Sequence, residues 1–273
     1  MNVARAVRHR VTERGVGGQL ELWRERIEAR HHKDLLRRLR GGRDVCWEEP
    51  DGETEPLVTI RIPTYNRAEA LRDVSLASAL RQTYERIEVL VVGDRTDAAT
   101  DRMMAGIRDP RVRYVNLPRP GLYPLDPTLR WRVSGSQAMN AGLLLARGAW
   151  VAPCDDDDEL TDDHVEVLLR GAKEQRVEFV HSLTETHFED GSIGVLGRPE
   201  LTVGQVTQGS VLYSMGLGFL RYSETCHLIP EPHDWNLWRR MRDIGVRMGF
   251  VDRVTYRYHK TVESTLGSPE PQA

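Results

Sequence analysis

The sequence predicts an α/β domain behind a basic helical extension, and three observations carry that prediction. Beyond residue 56, segments of strand character alternate with segments of helical periodicity. The run from Ile87 to Val92 is short and apolar, as in strands that a parallel sheet buries on both faces. Polar clusters follow the predicted strands directly, at Thr64, Tyr65 and Asn66, at Asp94, and at Asp155 to Asp158, and such sheets bind ligands at the carboxyl ends of their strands.

The elements follow in order. Residues 1–43 hold 12 Lys and Arg against 5 Asp and Glu, a net of +7 on a chain of 273 residues whose total is -3, so a basic head precedes an acidic body. Leu20, Trp23, Ile27, Leu35, Leu36 and Leu39 recur there at helical spacing, which predicts an amphipathic helix docked on its own domain or on a second copy, and hence a possible homodimer. Gly41-Gly42 stops it, and the breaker-rich stretch from Glu48 to Pro56 reads as a linker, dividing residues 1–55 from a domain at 56–273. Val58, Ile60 and Ile62 alternate with polar residues as a strand that Pro63 should halt. Asn66 is placed to cap a helix from Arg67 to about Gln82, on which Leu71, Val74, Ala77 and Leu80 repeat. After the strand ending at Gly93-Asp94 come a strand at Val112–Leu117 and a Pro- and Gly-rich loop, whose part from Tyr123 to Trp131 is placed to close over a ligand. A helix at Gln137–Ala146, a strand at Trp150–Pro153, a helix from about Asp162 to Glu174 and a strand at Phe179-Val180 complete the pattern.

Several function classes lose support. No run of 18 or so apolar residues suggests a membrane span, and MNVARAVRHR has no apolar core of a signal peptide. Cys46, Cys154 and Cys226 form no CxxC pair, so the expected compartment is the reducing cytoplasm. There is no GxGxxG and no P-loop lysine. Nucleic acid is not an expected partner, because the basic residues are interleaved with the apolar helical stripe.

Four consecutive carboxylates repel one another, and a divalent cation is the simplest remedy. All-oxygen ligands favour Mg²⁺, Mn²⁺ or Ca²⁺. Alternate residues of an extended segment project together, so Asp155 and Asp157 are paired for a metal while Asp156 points elsewhere. A calcium loop starting at Asp155 is the competing reading, but its sixth position is Leu160 where glycine is needed, and a strand precedes it where a helix is needed. A tyrosine at a strand end can stack on a flat base and a neighbouring aspartate can accept a base N–H, roles open to Tyr65 and Asp94.

In order, PLVTIRIPTYNRAEALRD, LRQTYERIEVLVVGD, AMNAGLLLARGAWVAPCDDDDELTDDHVEVLL and HDWNLWRRM resemble the family 2 glycosyltransferases of the GT-A fold, over about Pro56 to Ser264. The resemblance implies a Rossmann-like, mixed and mostly parallel sheet flanked by helices. It implies that Pro63, Thr64, Tyr65 and Asn66 hold the nucleoside of a sugar nucleotide, and that Asp94 reads the base, with Gly93 where relatives commonly have a first aspartate. It implies that Asp155 and Asp157 bind Mn²⁺ or Mg²⁺ on the diphosphate, with Asp156 beside the nucleotide and His259 where some members place a metal ligand. Asp234 matches the catalytic base, with His233 in place of the usual glutamate.

The expected activity is transfer of a sugar, in the first instance from a UDP-sugar, to a hydroxyl of a glycan or small molecule. A carboxylate base opposite the leaving diphosphate would invert the anomeric configuration. Competing readings are a sugar nucleotidyltransferase and a non-catalytic nucleotide- or calcium-binding protein. Ser182 to Pro232, with Tyr213, Met215, Phe219, Tyr222 and His227, is the expected acceptor wall.

Overall fold

The computed structural model describes residues 3–41 and 55–259, with side chains from residue 15 onward. Cys46, residues 48–54 of the expected linker and the tail from residue 260 lie outside the described residues.

Among the described residues nine strands form one sheet: β1 Val58–Thr64, β2 Ile87–Gly93, β3 Val112–Asn116, β4 Trp150–Pro153, β5 Glu159–Leu160, β6 Phe179–His187, β7 Ile193–Leu196, β8 Val211–Ser214 and β9 Met248–His259. Their order is β3-β2-β1-β4-β8-β6-β9-β5, with β7 on β6. The first four are parallel throughout. β8 enters antiparallel between β4 and β6, and β9 returns parallel to β6 over a long register, so most of the paired length is parallel. Every residue of β1 and β2 is buried, the polar Thr59, Arg61 and Glu88 among the apolar ones included.

Pro63 does not end β1. The strand continues to Thr64, with Pro63 opposite Val92. The reason lies in the ladder: the Arg61 carbonyl accepts from Cys154 N–H on the β4 side (3.0 Å), and Pro63, two residues on, faces the same side after β4 has finished at Pro153. The missing proline N–H therefore has no ladder partner to lose.

The helix after β1 runs from Ala68 to Leu80 through a π turn at Leu71–Leu76. Asn66 does not cap it. Its backbone is left-handed (φ 55°), a conformation asparagine tolerates, and its Oδ1 accepts from Asp97 N–H at 2.7 Å, tying the β1 end to the loop after β2. A helix at Ala98–Gly106, capped by Asp97, was not expected from the sequence. The helices Ser136–Leu145 and His164–Gln175 lie within a residue or two of expectation. Gly142 permits close contact with β1, since a Cβ there would stand 2.7 Å from Arg61 Cδ.

Two large cores flank the sheet. One joins Val58, Ile60 and Ile62 to Leu71, Leu76 and Leu168; the other joins Phe179, Tyr213, Trp238 and Met241 to Leu36 of the N-terminal helix. That helix, Val3–Gly41, kinks at Gly15 and packs on the helix His233–Ile244. The apolar stripe expected to dock divides: Leu36 is buried, whereas Leu20, Trp23 and Ile27 are exposed. The docked face of the first half is largely acidic, with Glu25 Oε2 2.8 Å from Arg239 and Glu21 accepting from Thr225 Oγ1 at 2.8 Å. Among the described residues no helix is long and apolar enough to cross a membrane.

Candidate active site

The clusters after β1, β2 and β4 meet at the carboxyl edge of the parallel strands, in a cleft of about 700 Å³. Pro63, Thr64, Tyr65, Asp94, Asp155, Asp156 and Asp157 all line it, and His233 closes one side. Asn66, Asp234 and His259 do not line it.

The four aspartates face different ways. Asp156 turns to the end of β1, accepting from the Thr64 hydroxyl (2.7 Å) and the Tyr65 N–H (3.4 Å). Asp157 forms a short ion pair with Arg67, whose guanidinium also reaches Asp156 at 3.3 Å. Asp158, buried in the wall of the cleft, accepts from the Tyr256 hydroxyl (2.6 Å) and His259 N–H (2.8 Å), which ties the run to β9. Ser75, within the π turn, donates to the Asp156 carbonyl at 3.2 Å and braces the segment from beneath. The Asp155 carboxylate accepts no hydrogen bond among the described residues.

Electrostatics follow from that crowding. Burial, then the charges of Asp157 and Asp156, push Asp155 up to about 8, and burial followed by Asp157 pushes Asp156 up to about 6. Asp158 is raised well above the ordinary carboxylate range by burial, Asp157 and Asp155. Arg67 is therefore a resident cation that relieves part of the repulsion. It belongs to the same Thr-Tyr-Asn-Arg segment as the expected nucleoside contacts, so its position beside the strand end was the available signal.

The donor set suits a hard divalent cation: oxygen ligands, with the buried carboxylate of Asp155 driven up by neighbours that a cation would offset. Among the described residues no three His, Cys, Asp or Glu side chains are already gathered as a cage. A Mg²⁺-type ion held by one or two carboxylates and completed by substrate phosphates needs no such cage. His259 does not join Asp155 and Asp157 in one: its ring packs on that of His187 (centroids 5.0 Å) with Nε2 3.9 Å from Glu159.

Asp94 is buried, with both carboxylate oxygens engaged by the loop after β3: Gly121 N–H donates to Oδ1 at 3.0 Å and the Tyr123 hydroxyl to Oδ2 in a short hydrogen bond. Tyr65, by contrast, is 59% exposed and presents its ring to the cleft. Asp234 stands in the first turn of the helix His233–Ile244, which starts from Pro232, so it is not the N-cap; its Oδ1 accepts from Trp235 N–H at 2.6 Å. Burial raises its affinity for a proton and His233 partly offsets this. His233 is fixed by its Nδ1, 3.1 Å from the Arg132 carbonyl.

The residues expected to form an acceptor wall stand apart from this cleft. Tyr213 and Tyr222 are buried against Trp238, and none of the five residues from Tyr213 to His227 named for that wall lines the cleft. Beneath the floor lies Arg61, fully buried and unforeseen. Its NH2 donates to the Tyr222 hydroxyl at 3.0 Å and its guanidinium lies 4.8 Å from the centre of that ring, while Nε and NH1 have no partner among the described residues.

The model of the glycosyl transferase family 2 matches residues 59–123 and 128–244. The succinoglycan biosynthesis protein ExoO of Rhizobium meliloti is 30% identical over 165 residues, 58% of this chain and 44% of ExoO. S. aureus TarS 1-349, solved in complex with UDP-GlcNAc, superposes with a TM-score of 0.62 at 16% identity, covering 78% of this chain and 61% of that one. The mannosyltransferase PcManGT of Pyrobaculum calidifontis, solved with GDP-Man and Mn²⁺, gives 0.56 at 17% identity over 90% of this chain and 68% of that one. The chain thus spans less than half the length of ExoO, and the two solved structures share its fold.

Proposed function

Because the chain belongs to the glycosyl transferase family 2, we propose that it transfers a sugar from a nucleoside diphosphate sugar, a UDP-sugar in the first instance, to an acceptor hydroxyl with inversion. The observation that carries this reading is the convergence of Thr64 and Tyr65, Asp94 and the Asp155–Asp157 pair on one cleft at the strand ends. Residues 56–273 would be the catalytic unit and 1–55 an extension and linker. Two buried free thiols, Cys154 and Cys226, accord with a cytoplasmic site of action.

Each residue has a defined task. The Tyr65 ring offers a stacking surface for the base. Each carboxylate oxygen has two lone-pair sites, so Asp94 retains acceptor capacity for a base N–H beside its bonds to the loop. Thr64 and the Tyr65 N–H hold Asp156 against β1, which leaves Asp155 and Asp157 toward the diphosphate. Those two would hold Mn²⁺ or Mg²⁺, which when bound supplies positive charge to the departing diphosphate. Arg67 adds fixed positive charge on the same side. Asp234 would take the proton of the attacking hydroxyl, and its raised proton affinity suits a general base better than that of an exposed aspartate.

The test is product analysis with UDP-sugars, Mn²⁺ and hydroxyl acceptors. Free nucleoside diphosphate supports the proposal, whereas none from the UDP-sugar, together with pyrophosphate released when UTP and a sugar 1-phosphate are supplied instead, would mean nucleotidyl transfer. For the base, Asp234→Asn should lower turnover while donor affinity stays, and loss of donor affinity instead would make Asp234 a donor contact.

A further inference from the structure

We propose that the outer face of the N-terminal helix is a docking surface for an anionic lipid bilayer. The inference is independent of the cleft and of any reaction there.

The helix carries two unlike faces. Its inner face is spent on the body: Leu36 is buried in the core, Glu25 pairs with Arg239, and Arg40 donates to Glu178 at 3.0 Å and to the Gly245 carbonyl at 2.7 Å. On the opposite side Val16, Leu20, Trp23 and Ile27 are 79%, 61%, 62% and 50% exposed. Their spacing of four, three and four residues sets them in a line along one side of a helix, about 17 Å long at 1.5 Å per residue. A helix already docked by one face has no folding need for a second apolar stripe, so this stripe marks contact with something outside the chain.

Charge decides what that is. The acidic residues Glu21 and Glu25 lie on the buried side, where Thr225, Ser223, Asn236 and Arg239 satisfy them. Around and beyond the stripe the exposed charges are basic: Arg26, Arg30, Lys33 and Arg38 make no ion pair among the described residues, and exposed Asp34 is matched by Arg37 at 2.7 Å. A second copy of the chain, the occupant the sequence analysis raised, would set these cations against their own kind. Lipid headgroups of negative charge would meet them with opposite charge while Leu20, Trp23 and Ile27 enter the acyl boundary, the arrangement of an interfacial amphipathic helix.

Flotation of the full chain with vesicles tests this. The chain should bind phosphatidylglycerol–phosphatidylcholine vesicles at least about tenfold better than phosphatidylcholine vesicles, and the preference should collapse in high salt. Trp23→Ser with Ile27→Ser, and separately Arg26→Glu with Arg30→Glu, should each abolish the binding. All four side chains are exposed and unpaired with the body, so an unchanged melting temperature checks that the variants fold. Absence of binding to anionic vesicles overturns the proposal. So does a dimer in sedimentation that Trp23→Ser dissociates while vesicle binding stays nil, which would return the stripe to a second copy.

Discussion

The half of the sheet formed by β3, β2, β1 and β4 and the half formed by β8, β6, β9 and β5 do different work on the cleft. The first is parallel, and its strands deliver Thr64, Asp94 and Asp155 to the cleft within a residue or two of their carboxyl ends. The second is mixed and acts from behind: Tyr256 on β9 holds Asp158, and Trp238, packed on Phe179 of β6, anchors the helix that presents His233 and Asp234. The teaching is that reactive groups and their scaffold are separable here, so damage to one half should cost turnover and damage to the other should cost stability.

The sharpest way to break that division is Trp238→Ala. Deleting a fully buried tryptophan should cost about 3–5 kcal/mol, seen in urea unfolding. If the variant instead kept its stability and lost only turnover, the two halves would not be separable. On the other side, Asp157→Asn should lower turnover by about two to three orders of magnitude with little change in stability, on the scale of removing one electrostatic contact to a transition state. Unchanged turnover would remove the metal assignment.

How far each half could be read from the sequence follows the same line. The parallel half is written in contiguous residues: an apolar strand, then the polar residues that leave it, so Thr64, Tyr65, Asp94 and the aspartate run were found by reading forward from each strand. The second half depends on pairings across long separations. β9 carries Asp252, Arg253 and Arg257 between its apolar residues, and β8 is four residues long, so neither shows a clean period of two. Arg61 was missed for a different reason. Its alternation with Ile60 and Ile62 reads as a solvent-facing position, and only the packed structure shows that Gly142 and Tyr222 enclose it. Pro63 misled in the opposite direction, because the free side of β1 beyond Pro153 is not visible in the local sequence.

Acidity offers a gentler probe. Asp155, held up at about 8, and Asp156, at about 6, bind protons more tightly folded than unfolded, so the stability they contribute is present below their ordinary 3.8 and is lost as pH rises through those values. Buried His164, lowered to about 4, works in the opposite sense, losing stability as pH falls from 6.5 toward 4. Between pH 6.5 and 8 the Asp155 effect is therefore free of that histidine. Without divalent cation, scanning calorimetry should show stability declining across that window, and Asp155→Asn should make the decline shallower, with buried Asp158 contributing in the same sense. A decline as steep in the variant as in the parent would assign it to Asp158 or another group.

The smallest effect should come from the loop over Asp94. Tyr123→Phe removes one hydrogen bond to that carboxylate while Gly121 keeps the other, so donor KM should change by about tenfold or less with kcat nearly constant. A loss confined to kcat would mean that the tyrosine acts on the chemistry and not on the base.

The central claim is that the cleft takes a nucleoside diphosphate through a cation at Asp155 and Asp157, and calorimetric titration with UDP, GDP, TDP and ADP, each with Mn²⁺ and with chelator, addresses it most directly. The account predicts that at least one of the four binds with Mn²⁺ and that chelation removes the heat. Binding of equal strength with chelator would contradict the cation, and no binding of any of the four in either condition would contradict the cleft as a nucleotide site.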